Sequence, residues 1–553
     1  MKANKRIATA LLALVMIVSS CGGDDDSSDA TTTTSGRIDR PAPTAAATET
    51  TSAAAETTSA PETTAAPEGA TAIAGGDASY DRESGEEAPP ETTTTEAPTD
   101  TNFDDYGVNP FEDPSTDPLS TFAVDVDTGA YTLMRAWVND GYLPSPDAVR
   151  VEEYVNYFDG GYTAPEDSTF AVYADGGPTP FFDSRNDILR IGIQAREVTE
   201  RQRRDVNLTL VVDVSGSMRD GGKLDMVKES LEILVDELDR FDTVGIVAYE
   251  TEAEVILEPT SVSERDEIVD AINRLDAGGS TNAEAGLTVG YELADESYQR
   301  DAVNRVILLS DGVANVGNTG PGSILETIGD RARQGIDLVT IGVGISTYND
   351  VLLEQLADQG NGWYAYVDTR EEAERLFQEQ LTTSLETVAR DVKVQVEFDP
   401  EYVEEYRLIG FENRDVADDD FRDDRVDAGE INAGHTVMAL YEVALTRDAY
   451  RSEVGFATVF LRWEDEESGQ IEEIQGDVTT ALLSDRFGET SAEFQVVSSV
   501  AAYAEVLRGS RWVRGLELED VLDEVDNLPW REIDDEAAEE FHDILEQAVR
   551  LSP

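Results

Sequence analysis

Cysteine is almost missing from this chain: of 553 residues one is a cysteine, Cys21, so no intramolecular disulfide can form. Histidine is nearly as scarce, with two residues, His435 and His542, which leaves acid–base catalysis few of its usual agents. His435 falls at the start of a C-terminal strand and His542 on the last helix, and both read as structural or exposed. No GxSxG elbow, HExxH helix or GxGxxG turn is present. Gly221, Gly222 and Lys223 do not make a phosphate loop, because Ser217 stands where its first glycine belongs and Leu224 where its Ser/Thr belongs. Past the amino terminus no apolar run reaches the roughly 18 residues that cross a bilayer. Positive charge is also short: 41 Lys and Arg against 116 Asp and Glu give a formal charge of −75, which repels nucleic acid and anionic lipid surfaces. No EF-hand DxDxDG loop accounts for that acidity. Asp125 and Asp127, in DVDTG, come nearest and read as a strand end running into a helix capped by Thr128.

What is present begins with a leader. Lys2, Lys5 and Arg6 precede an apolar stretch from Ile7 to Val18, and VSSC, ending at Cys21, resembles a bacterial lipobox. That resemblance implies a signal peptide over 1–20, a lipid on Cys21 as the membrane anchor, and a place on the extracytoplasmic side of the cell membrane or outer envelope. Residues 21–116 are Thr, Ala, Ser, Pro and acid, as in ETTSAAAETTSAPETTAAPEG. Such a stretch buries too little apolar surface to offset its ordering entropy, so a disordered tether is expected.

The rest is 40% hydrophobic over the whole chain, enough to build real cores. Residues 117–204 read as an α+β segment: strands at Leu119 to Val126, Phe170 to Ala174 and Ile188 to Ala195, and helices at Tyr131 to Asn139 and Val149 to Phe158, the latter with Val151, Tyr154, Val155 and Phe158 on one face. Residues 205–386 alternate strand and helix in the manner of βαβ units, closing with a long helix from Arg370. Residues 387–480 are β-rich, with strands at Asp391 to Phe398, Thr436 to Leu445 and Val454 to Trp463 of the half-buried antiparallel kind. Residues 481–553 turn helical. Strands on both sides of an α/β unit favour that unit being inserted into a β-sandwich built from both flanks, over two separate β domains.

The organising stretch is LTLVVDVSGSM, Leu208 to Met218. Its apolar run lacks alternation and so reads as a strand buried on both faces. It ends in Asp213, Ser215 and Ser217, three small oxygen donors on a turn that Gly216 lets bend, suited to one hard cation such as Mg²⁺. AGGSTN places Thr281 on a Gly-rich loop, and RVILLSDG is a second buried strand ending in Asp311. In an open α/β sheet ligands gather beyond the carboxyl ends of the strands where strand order reverses. A Rossmann-like order makes Asp213 and Asp311 neighbours there.

The DxSxS pattern with Thr281 and Asp311 following in order resembles the metal-ion-dependent adhesion site of the von Willebrand factor A (VWA) family. DPLSTFAVDVDTGAY and DAVRVEEYVNYF resemble the leader before the VWA domain in one group of bacterial VWA lipoproteins. The resemblance implies a doubly wound α/β VWA domain and no enzymatic activity. It further implies that Asp213, Ser215, Ser217, Thr281 and Asp311 hold Mg²⁺ or Mn²⁺ with one position open to a carboxylate of a protein partner. The competing readings are a metal-dependent hydrolase using the same ion and a solute-binding envelope lipoprotein.

Overall fold

The computed structural model describes residues 103–552 apart from 104, 125, 200–201, 313–320, 345–349, 381–385, 427 and 534. The expected signal peptide, Cys21, Asp125 and nearly all of the expected tether lie outside the described residues. Packing starts earlier than composition suggests. Asn109 Nδ2 donates to the carbonyls of Leu408 (3.3 Å) and Gly410 (2.8 Å), and the Phe111 ring meets Trp512 edge-on at 4.9 Å.

Before the central sheet come β1 (Leu119–Ala123), α1 (Gly129–Asn139), α2 (Val151–Val155), β2 (Phe170–Pro178) and β3 (Asp187–Ala195). The central unit contains β4 (Val206–Asp213), α3 (Lys223–Glu237), β5 (Thr243–Tyr249), β6 (Ala253–Ser261), α4 (Arg265–Arg274), α5 (Ala283–Glu296) and β7 (Val303–Ser310). It continues through α6 (Pro321–Ala332), β8 (Ile336–Val343), α7 (Asp350–Gln359), β9 (Tyr364–Val367) and α8 (Arg370–Glu374). After it follow β10 (Thr387–Phe398), β11 (Val403–Ile409), β12 (Gly429–Asn432), β13 (Thr436–Leu445), β14 (Gly455–Asp465) and β15 (Ile471–Thr479), then helices α9 (Ala492–Leu507), α10 (Leu518–Val525) and α11 (Glu536–Leu551).

The central sheet runs β6-β5-β4-β7-β8-β9, with β6 antiparallel to β5 and the other pairs parallel. Every residue of β4, β7 and β8 is buried, as continuous apolar runs require when helices cover both faces. Leu208, Leu210 and Val212 pack with Val227, Leu231 and Leu234 of α3 and Ile268 and Ile272 of α4. Val211 faces the other way, toward Leu287 and Tyr291 of α5.

That second face also takes residues from outside the central unit. Leu133, Ala136 and fully buried Trp137 of α1 join its core, so replacing Trp137 by Ala costs about 3–5 kcal/mol. Asp127 accepts a hydrogen bond from the Tyr364 amide at 2.8 Å and pairs with Arg414, which gives it a structural role at the β9 edge. Thr128 does stand at the N-cap of α1, but its side chain makes no capping bond. The Ala130 amide is met instead by the Glu153 carboxylate at 2.7 Å.

Two further sheets form the sandwich: β1-β10-β14-β15, with β12 also on β10, and β11-β13-β3-β2. Each mixes strands from both sides of the central unit, β1 pairing with β10 and β3 with β13, so the α/β unit is inserted in one sandwich. Leu189, Ile191 and Ile193 of β3 face Val392, Val394 and Val396 of β10 across its core. On its outer side Ile188, Met438 and Leu440 lie under Phe494, Val497 and Val500 of α9 and Phe541 of α11.

Three expectations are corrected. The helix over Val149 to Phe158 is the short α2, and its Glu152 and Glu153 are buried, Glu152 accepting from the Phe411 amide at 2.9 Å. The long helix from Arg370 is five α-helical residues followed by a π-helical stretch, Arg375–Gln380. Strands β11, β12 and β15 join those read from the sequence.

Candidate metal centre

At the carboxyl end of β4 the chain turns sharply. The Ser215 amide donates to Asp213 Oδ1 at 2.8 Å, and the Ser215 and Ser217 hydroxyl oxygens stand 3.0 Å apart. Met218, fully buried, anchors the turn in the core below. The register of β4 and β7, with Val212 opposite Leu309, brings Asp311 beside Asp213, and both are fully buried. Burial pushes the Asp213 carboxyl above its ordinary pKa, against the Ser215 hydrogen bonds, and the charge of Asp311 adds to the rise.

Thr281 lies on the adjacent loop, mostly buried. Two backbone bonds tie that loop to the first: the Gly278 amide donates to the Val214 carbonyl at 2.7 Å and the Gly216 amide to the Gly279 carbonyl at 3.2 Å. Gly279 sits at φ +74, where a Cβ would also strike the Glu250 carboxylate, so this tight turn needs glycine. Asn282 then caps α5 by accepting from the Ala285 amide at 3.2 Å.

The structure thus gathers Asp213, Ser215, Ser217 and Asp311 at one point on the sheet's edge and holds the Thr281 loop against them. Three neighbours escaped the sequence reading. Ser310 donates its hydroxyl to Asp213 Oδ2 at 3.0 Å, and Tyr249 does so at 3.3 Å. Lys223, set aside as a failed phosphate loop, donates to Asp311 Oδ2 at 3.0 Å. The signal for Ser310 was a polar residue ending an otherwise apolar buried strand. Neither histidine belongs here: His435 lies near Arg305, and His542 bonds Asp526 at 2.8 Å.

The donor set suits a small hard cation. Carboxylate and hydroxyl oxygens are what Mg²⁺ and Mn²⁺ take. Among the described residues no group of three or more His, Cys, Asp or Glu is arranged to hold a metal, so a zinc-type site is not offered there. An ammonium already stands on Asp311 as a positive charge in the place where one is wanted.

Comparison with known proteins agrees with this architecture. Residues 207–380 match the model of the von Willebrand factor type A domain, 97–190 a von Willebrand factor model, and 383–551 the model of the C-terminal region of the uncharacterized protein YfbK. Over 430 residues the chain is 36% identical to YfbK of Escherichia coli K12, covering 74% of each protein. The chain belongs to the YfbK family. Over 165 residues this family member is 30% identical to human inter-alpha-trypsin inhibitor heavy chain H4, covering 28% of this chain and 17% of that one. Among solved structures, a von Willebrand factor type A protein from Catenulispora acidiphila is similar at a TM-score of 0.42 and 17% identity, covering 67% of this chain and 88% of that one. A VWA domain is a module that commonly mediates contacts between proteins.

Proposed function

We propose that this YfbK-family protein is a lipid-anchored envelope protein, held through Cys21, whose VWA domain captures a protein partner through Mg²⁺ or Mn²⁺. Asp213, Ser215, Ser217, Thr281 and Asp311 would hold the ion. When bound, the ion supplies a Lewis-acidic position that accepts a carboxylate of the partner. The observation that carries this reading is the pair of serine hydroxyls 3.0 Å apart beside two buried carboxylates at the edge of a doubly wound sheet. Neutral hydroxyl donors leave an ion more electrophilic than an all-carboxylate cage does. The turn bonds orient the side chains: Asp213 is fixed by Ser215, Ser310 and Tyr249 before any ion arrives.

The reading takes the site as one for binding, with both histidines placed elsewhere, His435 near Arg305 and His542 on Asp526. The test is a pull-down from envelope extract with Mg²⁺ and with chelator, using wild type and Asp213→Ala. Capture that needs Mg²⁺ and disappears in the folded variant is expected; equal capture in chelator sinks the reading. Turnover of an ester or phosphate substrate lost in Asp311→Ala would favour the hydrolase instead.

A further inference from the structure

Lys223 is the first residue of α3 and is 6% exposed. That position is unfavourable twice over. A cation at a helix amino terminus meets the positive end of the helix dipole, and burial strips an ammonium of water. The fold nevertheless makes room for it. Gly344, just past β8, lies at φ +84, and a Cβ there would stand 2.3, 2.6 and 2.8 Å from Cε, Cδ and Cγ of Lys223. The lysine stem runs through the space that this glycine leaves, and its ammonium ends on Asp311.

We propose that Lys223 is a tethered cation of the metal centre, which sets how tightly the centre holds a divalent ion and what charge it presents. Before the ion arrives, the ammonium neutralises Asp311 and keeps two adjacent buried carboxylates from repelling each other unopposed. With the ion in place, the charges of Asp213 and Asp311 are already balanced, so the ammonium is surplus. The lysine therefore weakens ion binding and leaves the loaded site net positive, the sign that draws a partner's carboxylate. This rests on the metal reading given above.

The test is titration calorimetry of Mg²⁺ and Mn²⁺ into the full chain as wild type, Lys223→Gln, Lys223→Met and Lys223→Arg. Both neutral variants are expected to bind Mg²⁺ roughly tenfold tighter than wild type, and the arginine variant to stay close to wild type. Thermal unfolding gives a second readout. Without metal the neutral variants melt lower, because a buried ion pair has been broken at Asp311, and saturating Mg²⁺ raises their melting temperature by more than it raises wild type's. Equal or weaker Mg²⁺ binding in both folded neutral variants overturns the proposal, as does an arginine variant that behaves like them. Uptake by the neutral variants but not by wild type supports it in its strongest form. Uptake by none of the four chains sinks the metal reading itself, and this proposal with it.

Discussion

At the start of β7 Arg305 is buried, and just past its end Asp311 is buried, yet the two edges of the sheet treat charge differently. At the lower edge Arg305 faces Asp337 at 3.8 Å and donates to the Thr387 hydroxyl at 3.3 Å, while Arg390 holds Asp337 at 3.2 Å and reaches Glu466. Guanidiniums and carboxylates alternate there, with planar forks that satisfy several acceptors at once, and the cluster fastens the VWA domain to β10 of the sandwich. At the upper edge two carboxylates and two hydroxyls stand together, and one ammonium on a flexible stem reaches Asp311. The lower cluster is a balanced tie. Among the described residues the upper one sets two carboxylates against one ammonium, the balance on which the proposed metal site rests.

The comparison can be tested by breaking each edge in turn. The largest effect belongs below: Arg305→Leu takes a buried guanidinium from Asp337, which keeps Arg390, and from the Thr387 hydroxyl, which keeps Asn432, and should cost about 3 kcal/mol in denaturant unfolding, with the Mg²⁺-induced rise in melting temperature preserved. A loss of the metal response without loss of stability would reverse the assignment of the two edges.

The lower edge should also register pH. Burial and the charge of Arg305 pull His435 down to about 4, whereas the unfolded chain takes up that proton near 6.5. Stability is therefore fully present above about pH 6.5 and declines as pH falls toward 4, by at most about 1.4 kcal/mol per unit. Denaturant midpoints measured across that window should show the slope in wild type and lack it in His435→Gln.

The smallest stability effect belongs above. Ser217→Ala removes one hydroxyl from a half-buried turn and should shift stability by about 1 kcal/mol or less, while the Mg²⁺-induced melting shift shrinks. A destabilisation as large as that of Arg305→Leu would make the upper edge structural and erase the distinction.

Asp213 and Asp311 were legible because each follows a run of buried apolar residues, and such runs end at the ligand edge of an α/β sheet. The sandwich around the inserted α/β unit was legible from strands on both flanks, but β3 and β13, whose outer faces were read as solvated, are buried on both faces because the C-terminal helices cover them. β12 was not, being four residues long, and neither was β15, where IEEIQGDVT is mostly exposed and breaks the alternation that marks a strand. Glu152 and Glu153 looked like the wet face of a helix, but distant backbone amides needed acceptors and took them inside. Thr128 has the chemistry of a cap and the right place for one, and the carboxylate of Glu153 fills that role.

The sequence alone determined which strands are buried and where they end in oxygen donors. These follow from residue type and period, and both are local. Only the tertiary structure decided that Lys223 meets Asp311 across 88 positions, that Arg135 of α1 reaches Glu540 of α11 across 405, and that Trp137 belongs to the core of a domain it precedes. Hydrophobic periodicity says that a side chain is buried. Which group stands opposite it is set by how separate elements dock.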